Sequence, residues 1–154
     1  MKRWILLALL VLGASAMAMK NPSVALKAGI AGGGAFGVEP SWDCKFFQPE
    51  VGKVRVTPFV GFTGDAFSAS LSMRYMYGGF MDDLQVGGGV GMGYATNGKD
   101  VNGFYLMVRG DVEYDLALRD LPNPLFVGAD FGYAAGFGKG FEGFFLMLKL
   151  GMRF

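Results

Sequence analysis

The stretch Phe144-Phe145-Leu146-Met147-Leu148-Lys149-Leu150-Gly151-Met152-Arg153-Phe154 decides the fold. Phe144, Leu146, Leu148, Leu150, Met152 and Phe154 place an apolar side chain at every second position, with Phe145, Met147, Lys149, Gly151 and Arg153 between them. A period of two is the period of a β-strand, whose successive side chains point to opposite faces. An oily face that runs to the last residue is odd for a domain in water, whose ends usually fray. It makes sense for a strand whose outer face meets lipid and whose inner face meets a polar lumen.

A final alternating strand that ends on Phe resembles the assembly signal of bacterial outer-membrane β-barrels. Leu150, Gly151, Met152 and Phe154 carry that resemblance, within the stretch from Leu146 to Phe154. It implies that the barrel assembly machinery of the outer membrane reads this strand. The other end of the chain agrees. Lys2 and Arg3 precede an apolar run from Trp4 to Leu12, followed by Gly13-Ala14-Ser15-Ala16-Met17-Ala18. A charged start, a short oily run and an Ala-Met-Ala ending predict a secretory signal peptide over residues 1–18. The oily run is far shorter than the ~20 residues of a spanning helix.

Removing 18 of the 154 residues leaves 136, with 12 basic and 13 acidic side chains once Lys2 and Arg3 are gone. One domain, residues 19–154, is the natural count. A charge this near balance gives no reason to expect nucleic acid as a partner. Cys44 is the only cysteine, so no disulfide forms within the chain. A small exported domain without disulfides needs another source of stability. A barrel whose backbone hydrogen bonds close on themselves supplies one.

Alternation recurs along the chain and predicts eight strands: Val24–Ala31, Phe36–Gln48, Val54–Thr63, Ala66–Tyr77, Leu84–Ala95, Gly103–Leu116, Pro124–Ala135 and Phe141–Phe154. Gly64-Asp65 is a two-residue hairpin signal. An even count brings both termini to the periplasmic side, as bacterial barrels require. Pro58 lies inside a strand that has no free edge, so a bulge or a missing ladder bond is expected there. With the strands alternately up and down, outward aromatics gather at two heights. Phe46, Tyr75, Tyr77, Tyr114 and Phe154 fall near one end; Phe36, Phe62, Phe67, Tyr94, Phe104, Tyr133 and Phe144 fall near the other. Two aromatic girdles are the mark of a lipid–water boundary. A soluble lipocalin-like barrel would instead put apolar residues inside.

In this register the inward charges are Lys27, Glu39, Asp43, Lys45, Arg55, Arg74, Arg109, Asp111, Glu113, Asp115, Asp130, Lys149 and Arg153. Unpaired charge in a narrow lumen is costly. The expectation is therefore a salt-bridge network that plugs the lower half, with Asp130 against Lys149 and Asp43 against Lys27. Eight strands leave an interior that side chains fill, or room for one small ligand. Gly87, Gly89, Gly91 and Gly93 strip the inner face of the fifth strand. Phe59, Tyr105, Phe126 or Phe145 is expected to pack over that wall; otherwise a cavity opens there.

The sequence holds no histidine. Ser-His-Asp and Cys-His nucleophilic sites and His-based metal sites are thereby excluded. The enzymes among the resembling barrels, lipid acyltransferases, deacylases and omptin-like proteases, rely on His, so the resemblance implies no enzyme. No cofactor and no metal are expected. Gly32-Gly33-Gly34 is followed by neither a helix nor Gly-Lys-Ser, so it is no phosphate loop. The whole chain resembles, in pattern, the porin-like OmpA/OmpX group: a monomeric, all-β, eight-stranded antiparallel up-and-down transmembrane β-barrel in the cell outer membrane. That resemblance implies outer-membrane lipid as partner and a structural role in the envelope. The alternative is an OmpW-like narrow channel or transporter for small solutes or hydrophobic compounds.

Overall fold

A computed structural model of the chain describes residues 19–44, 52–116 and 122–154. The signal peptide expected over 1–18, the end of the second expected strand with Lys45 and Phe46, and part of the connection after Leu116 lie outside them. The described chain forms eight strands: β1 (Met19–Ala31), β2 (Gly34–Cys44), β3 (Lys53–Thr63), β4 (Ala66–Met81), β5 (Leu84–Thr96), β6 (Asn102–Leu116), β7 (Leu125–Gly136) and β8 (Gly143–Arg153). Each pairs antiparallel with its neighbours in sequence, and β1 pairs with β8, so the sheet closes into a barrel without edges. Closure leaves every strand paired on both sides, as a segment away from water requires.

The registers set the tilt. One line of paired residues can be carried around the barrel from Ser23 through Ser41, Thr57, Ser72, Gly91, Met107 and Ala134 to Gly143. It returns level with Gly33, ten residues along the chain from its start. Such a stagger tilts the strands by about 40° and leaves an interior that side chains can fill.

Connections at the end away from the termini are short. Gly32-Gly33 joins β1 to β2 and Gly64-Asp65 joins β3 to β4. Gly64 has φ +62°, the left-handed conformation that two-residue hairpins ask of their first central residue and that glycine adopts without cost. Residues 97–101 and 137–142 make the other two connections at this end. Asn97 Oδ1 caps the first of these by accepting from the backbone N–H groups of Lys99, Asp100 and Val101.

Pro58 is accommodated without a bulge. β2 and β3 pair at Val38–Val60 and again at Trp42–Val56, in one unbroken register, but the ladder is open between them. Pro40 and Pro58 face each other in that gap. Neither has an N–H to give, so the lost donors fall in one short stretch instead of two. Register shifts among the described strands lie elsewhere, in β1 between Lys20 and Ser23, where Asn21 has φ +52°, and in β4 between Tyr77 and Met81.

The two faces separate sharply. Outward Leu106, Val108 and Leu148 are 48 %, 65 % and 65 % exposed, while inward Arg109 and Lys149 are each 4 % exposed. Phe36, Phe62, Phe67, Tyr94, Phe104, Tyr133 and Phe144 form one exposed aromatic belt near the short-loop end. Neighbouring rings touch: Phe36–Phe62 at 5.3 Å, Phe62–Phe67 at 5.9 Å, Tyr94–Phe104 at 5.1 Å and Tyr133–Phe144 at 5.0 Å between centroids. Tyr75, Tyr114 and Phe154 are exposed toward the opposite end.

Candidate functional site: a charged and an apolar half of one lumen

Strand parity determines what enters the lumen. Lys27 comes from β1, Glu39 and Asp43 from β2, Lys53 and Arg55 from β3, and Arg74 from β4. Arg109, Asp111, Glu113 and Asp115 come from β6, Asp130 from β7, and Lys149 and Arg153 from β8. Only β5 sends no charge. Its glycines leave room for the long side chains of its neighbours, because Arg74 and Arg109 flank Gly89 on either side and Met76 flanks Gly87.

Asp130 and Asp111 are the buried hub. Asp130 pairs with Lys27, with Arg109 at 2.5 Å and with Lys149 at 2.8 Å. Asp111 pairs with Arg74, with Lys149 at 2.6 Å and with Arg109 at 3.2 Å. Glu39 reaches across the lumen to Arg109 at 2.9 Å, Lys27 at 3.0 Å and Arg74 at 3.1 Å. Toward the termini, Glu113 receives Arg55 at 2.6 Å, Lys149 at 2.8 Å and Arg153 at 2.9 Å. Asp43 takes Arg55 at 3.0 Å and Lys53 at 3.4 Å, and Asp115 takes Arg153 at 2.7 Å. Neutral groups complete the lattice. Arg109 donates to Ser72 Oγ, Asn21 to Asp43 and Gln85 to Asp115.

The structure therefore brings together Lys27, Glu39, Asp43, Arg55, Arg74, Arg109, Asp111, Glu113, Asp115, Asp130, Lys149 and Arg153. Lys45 lies outside the described residues. Asp130 meets Lys149, but the expected pairing of Lys27 with Asp43 does not occur. Lys27 lies level with Gly37 on β2, so Asp43 is six residues farther toward the termini. The strand tilt carries Lys27 to Glu39 and Asp130 instead. Lys53, one residue before the strand expected over Val54–Thr63, is part of the network; its parity with Arg55 is the signal that identifies it.

One of the four rings expected over the glycine wall covers part of it. Of the four inward aromatics only Tyr105 lies over it, against Gly93. The other three each cover a different glycine. Phe59 lies over Gly37 and Gly61, Phe126 over Gly151, and Phe145 over Gly132. A Cβ at Gly132 would stand 2.7 Å from the Phe145 ring, and one at Gly37 2.6 Å from Phe59. Each ring thus occupies the place of a missing side chain, which is how aromatics stabilise strand glycines.

Above the network, toward the short-loop end, the lumen turns apolar. Ala95, Tyr105, Met107 and Ala134 cluster on one side, and Ala31, Ala35 and Met147 on the other. Phe141 and Phe145 touch both clusters. Phe141, expected as the first residue of the last strand, belongs instead to the connection before β8. It packs edge-on against Tyr105 at 6.0 Å. A cavity of about 60 Å³ remains between the clusters, floored by Lys27 and Arg109.

No family model matches the chain, and no curated protein matches it. A search of solved structures finds similarity to the backbone structure of the Yersinia pestis outer membrane protein Ail in a phospholipid bilayer nanodisc. The match has a TM-score of 0.56 at 13 % identity and covers 87 % of this chain and 99 % of that one. At that identity the likeness is one of fold: the chain has the architecture of a small outer-membrane β-barrel.

Proposed function

We propose that the chain is an integral outer-membrane protein that stabilises the envelope as a closed, non-conducting barrel. The observation that carries this reading is the inversion of faces, with exposed Leu, Val, Met and Phe outside and buried Arg, Lys, Asp and Glu inside. In water that arrangement wastes the hydrophobic effect and buries charge at a cost. In a bilayer the apolar band is solvated by acyl chains and the charges pair away from lipid. The shortest strands have 11 residues. At roughly 3.3 Å per residue and a tilt of about 40°, they span about 28 Å, close to the apolar band of outer-membrane barrels. The belt of exposed rings agrees with a lipid–water boundary at the short-loop end.

Two barriers in series support a lumen that does not conduct. An ion entering from the short-loop end meets a constriction of aromatic, Met and Ala side chains, which disfavours water. Beyond it stands the ion-pair lattice, contributed by every strand except β5. We further propose that the alternation of Leu150 and Met152 toward Phe154 is what the assembly machinery reads, and that residues 1–18 direct export.

The test has two readings. Full-length protein expressed in a bacterium with two membranes is expected in the outer-membrane fraction, with gel mobility that changes on heating in detergent. Recovery as a soluble periplasmic protein overturns the membrane assignment. In planar bilayers the expected result is no steady current. A steady wild-type current that changes with Arg74→Ala or Lys149→Ala overturns the plug in favour of a narrow channel.

A further inference from the structure

We propose that the apolar half of the lumen is a blind binding site for one small apolar molecule, an aromatic ring or a short alkyl chain, reached from the short-loop end past Phe141. The claim rests on the plugged-lumen reading only for its closed floor.

The walls set the class of ligand. Phe59, Phe141, Phe145 and Tyr105 present rings to the cavity, and Met107 and Met147 present flexible thioethers. Such side chains adapt to an apolar guest without strain. The polar groups nearby are mostly engaged elsewhere. The Tyr105 hydroxyl is bonded to Ser68 Oγ at 2.8 Å. Lys27 is held by Glu39 and Asp130, and Arg109 by Glu39, Asp111 and Asp130. Thr63 Oγ1, buried without a partner, and the Ser70 hydroxyl are the remaining hydroxyls on the wall. An ordered water needs about two to four polar partners, and these two hydroxyls offer no more than the minimum on a wall made mostly of Ala, Met and aromatic side chains, so an apolar guest competes well with it. About 60 Å³ exceeds the space of one water several times over but is less than half of the about 150 Å³ of a preformed cavity that holds benzene, so an aromatic guest enters as the flexible Met107 and Met147 side chains and the Phe141 ring give way.

The geometry also makes the site a dead end. Lys27 Nζ stands 5.4 Å from the centre of the Phe59 ring, at the seam between the halves, and the lattice fills the lumen beneath. A guest that enters past Phe141 leaves the same way.

Benzene is the probe, titrated into the full chain purified in detergent micelles with its methionine methyl groups carbon-13 labelled. Met107 and Met147 line the cavity. Met76 is buried against Gly87 near the other end, and Met73 and Met92 are exposed on the outer face. The expected result is a saturable shift of the Met107 and Met147 methyls. Met76 stays still, while Met73 and Met92 drift in proportion to the benzene dissolved in the micelle. Ala35→Leu and, as a second variant, Ser70→Leu fill the cavity and abolish the saturable shift, while the heat-modifiable mobility persists. Linear shifts at Met107 and Met147 that follow Met73 and Met92 overturn the site, as do saturable shifts unchanged in a filled variant that folds. A conducting wild type that still binds benzene saturably overturns the plug and leaves the site standing.

Discussion

Asp130→Asn removes one negative charge from the hub while keeping the volume of the side chain. Asp130 is fully buried and its carboxylate faces Lys27, Arg109 at 2.5 Å and Lys149 at 2.8 Å, with Arg74 farther off at 3.9 Å. Breaking a buried pair by removing one partner costs about 3–5 kcal/mol, because the surviving charge loses its compensation. Here no cation is left bare. Lys27 keeps Glu39, Arg109 keeps Glu39 and Asp111, and Lys149 keeps Asp111 and Glu113. The cost therefore falls at the lower end, about 3 kcal/mol. With a urea slope of about 2 kcal/mol per molar, the unfolding midpoint drops by roughly 1.5 M. The assay is urea titration in phospholipid vesicles, followed by the fluorescence of Trp42, the only tryptophan after Trp4. Adding Lys27→Met removes one of the now-excess cations and recovers at least about 1 kcal/mol, since contacting residues couple. The loss persists in 1 M salt, because buried pairs are poorly screened. A midpoint within about 0.25 M of wild type, about 0.5 kcal/mol, would refute the premise that Asp130 is an ionised hub.

Leu148→Lys places a charge at mid-strand on the exposed face of β8 and is expected to cost about 2–4 kcal/mol in the same vesicle titration. No loss there would argue that this face does not meet acyl chains. Gly93→Ala drives a Cβ into the Tyr105 ring and Ser70. It should destabilise by about 1–3 kcal/mol and weaken near-UV dichroism as Tyr105 leaves Ser68. Deleting Phe154 is expected to lower outer-membrane yield severalfold in cells, measured by immunoblot. The same variant refolded in detergent should stay within about 1 kcal/mol of wild type, since Phe154 is exposed and its N–H makes one bond to Pro22 O.

Which face each residue takes was legible from parity alone. A one-residue slip would have put Leu148 inside and Lys149 in lipid, so the pattern leaves a single solution. Partner choice was not legible. It depends on the stagger around the barrel, and no strand reveals that by itself. Lys27 and Asp43 look adjacent on paper because their strands are neighbours; the β1–β2 register, which sets Lys27 level with Gly37, leaves Asp43 six residues away. The apolar cavity was hidden for a related reason. Its lining comes from residues on seven strands plus Phe141, whose place in a connection interrupts the alternation that suggested a strand. Taken alone, the glycines of β5 suggest a wall in need of a lid. They are better understood with their flanks, because a narrow lumen must leave space beside residues as long as Arg74 and Arg109.

The paired prolines give the barrel a seam. Backbone bonds are the rim of this wheel, and between β2 and β3 the rim is interrupted at Pro40 and Pro58. Two kinds of spoke run through the same stretch. Thr57 and Ser72 join their hydroxyls at 2.6 Å across the β3–β4 boundary. Glu39, next to Pro40, is tethered to three other strands by Lys27, Arg74 and Arg109. Roundness at that point thus leans on the hub, since across the gap between β2 and β3 the ion pairs of Glu39 take the place of the missing rim.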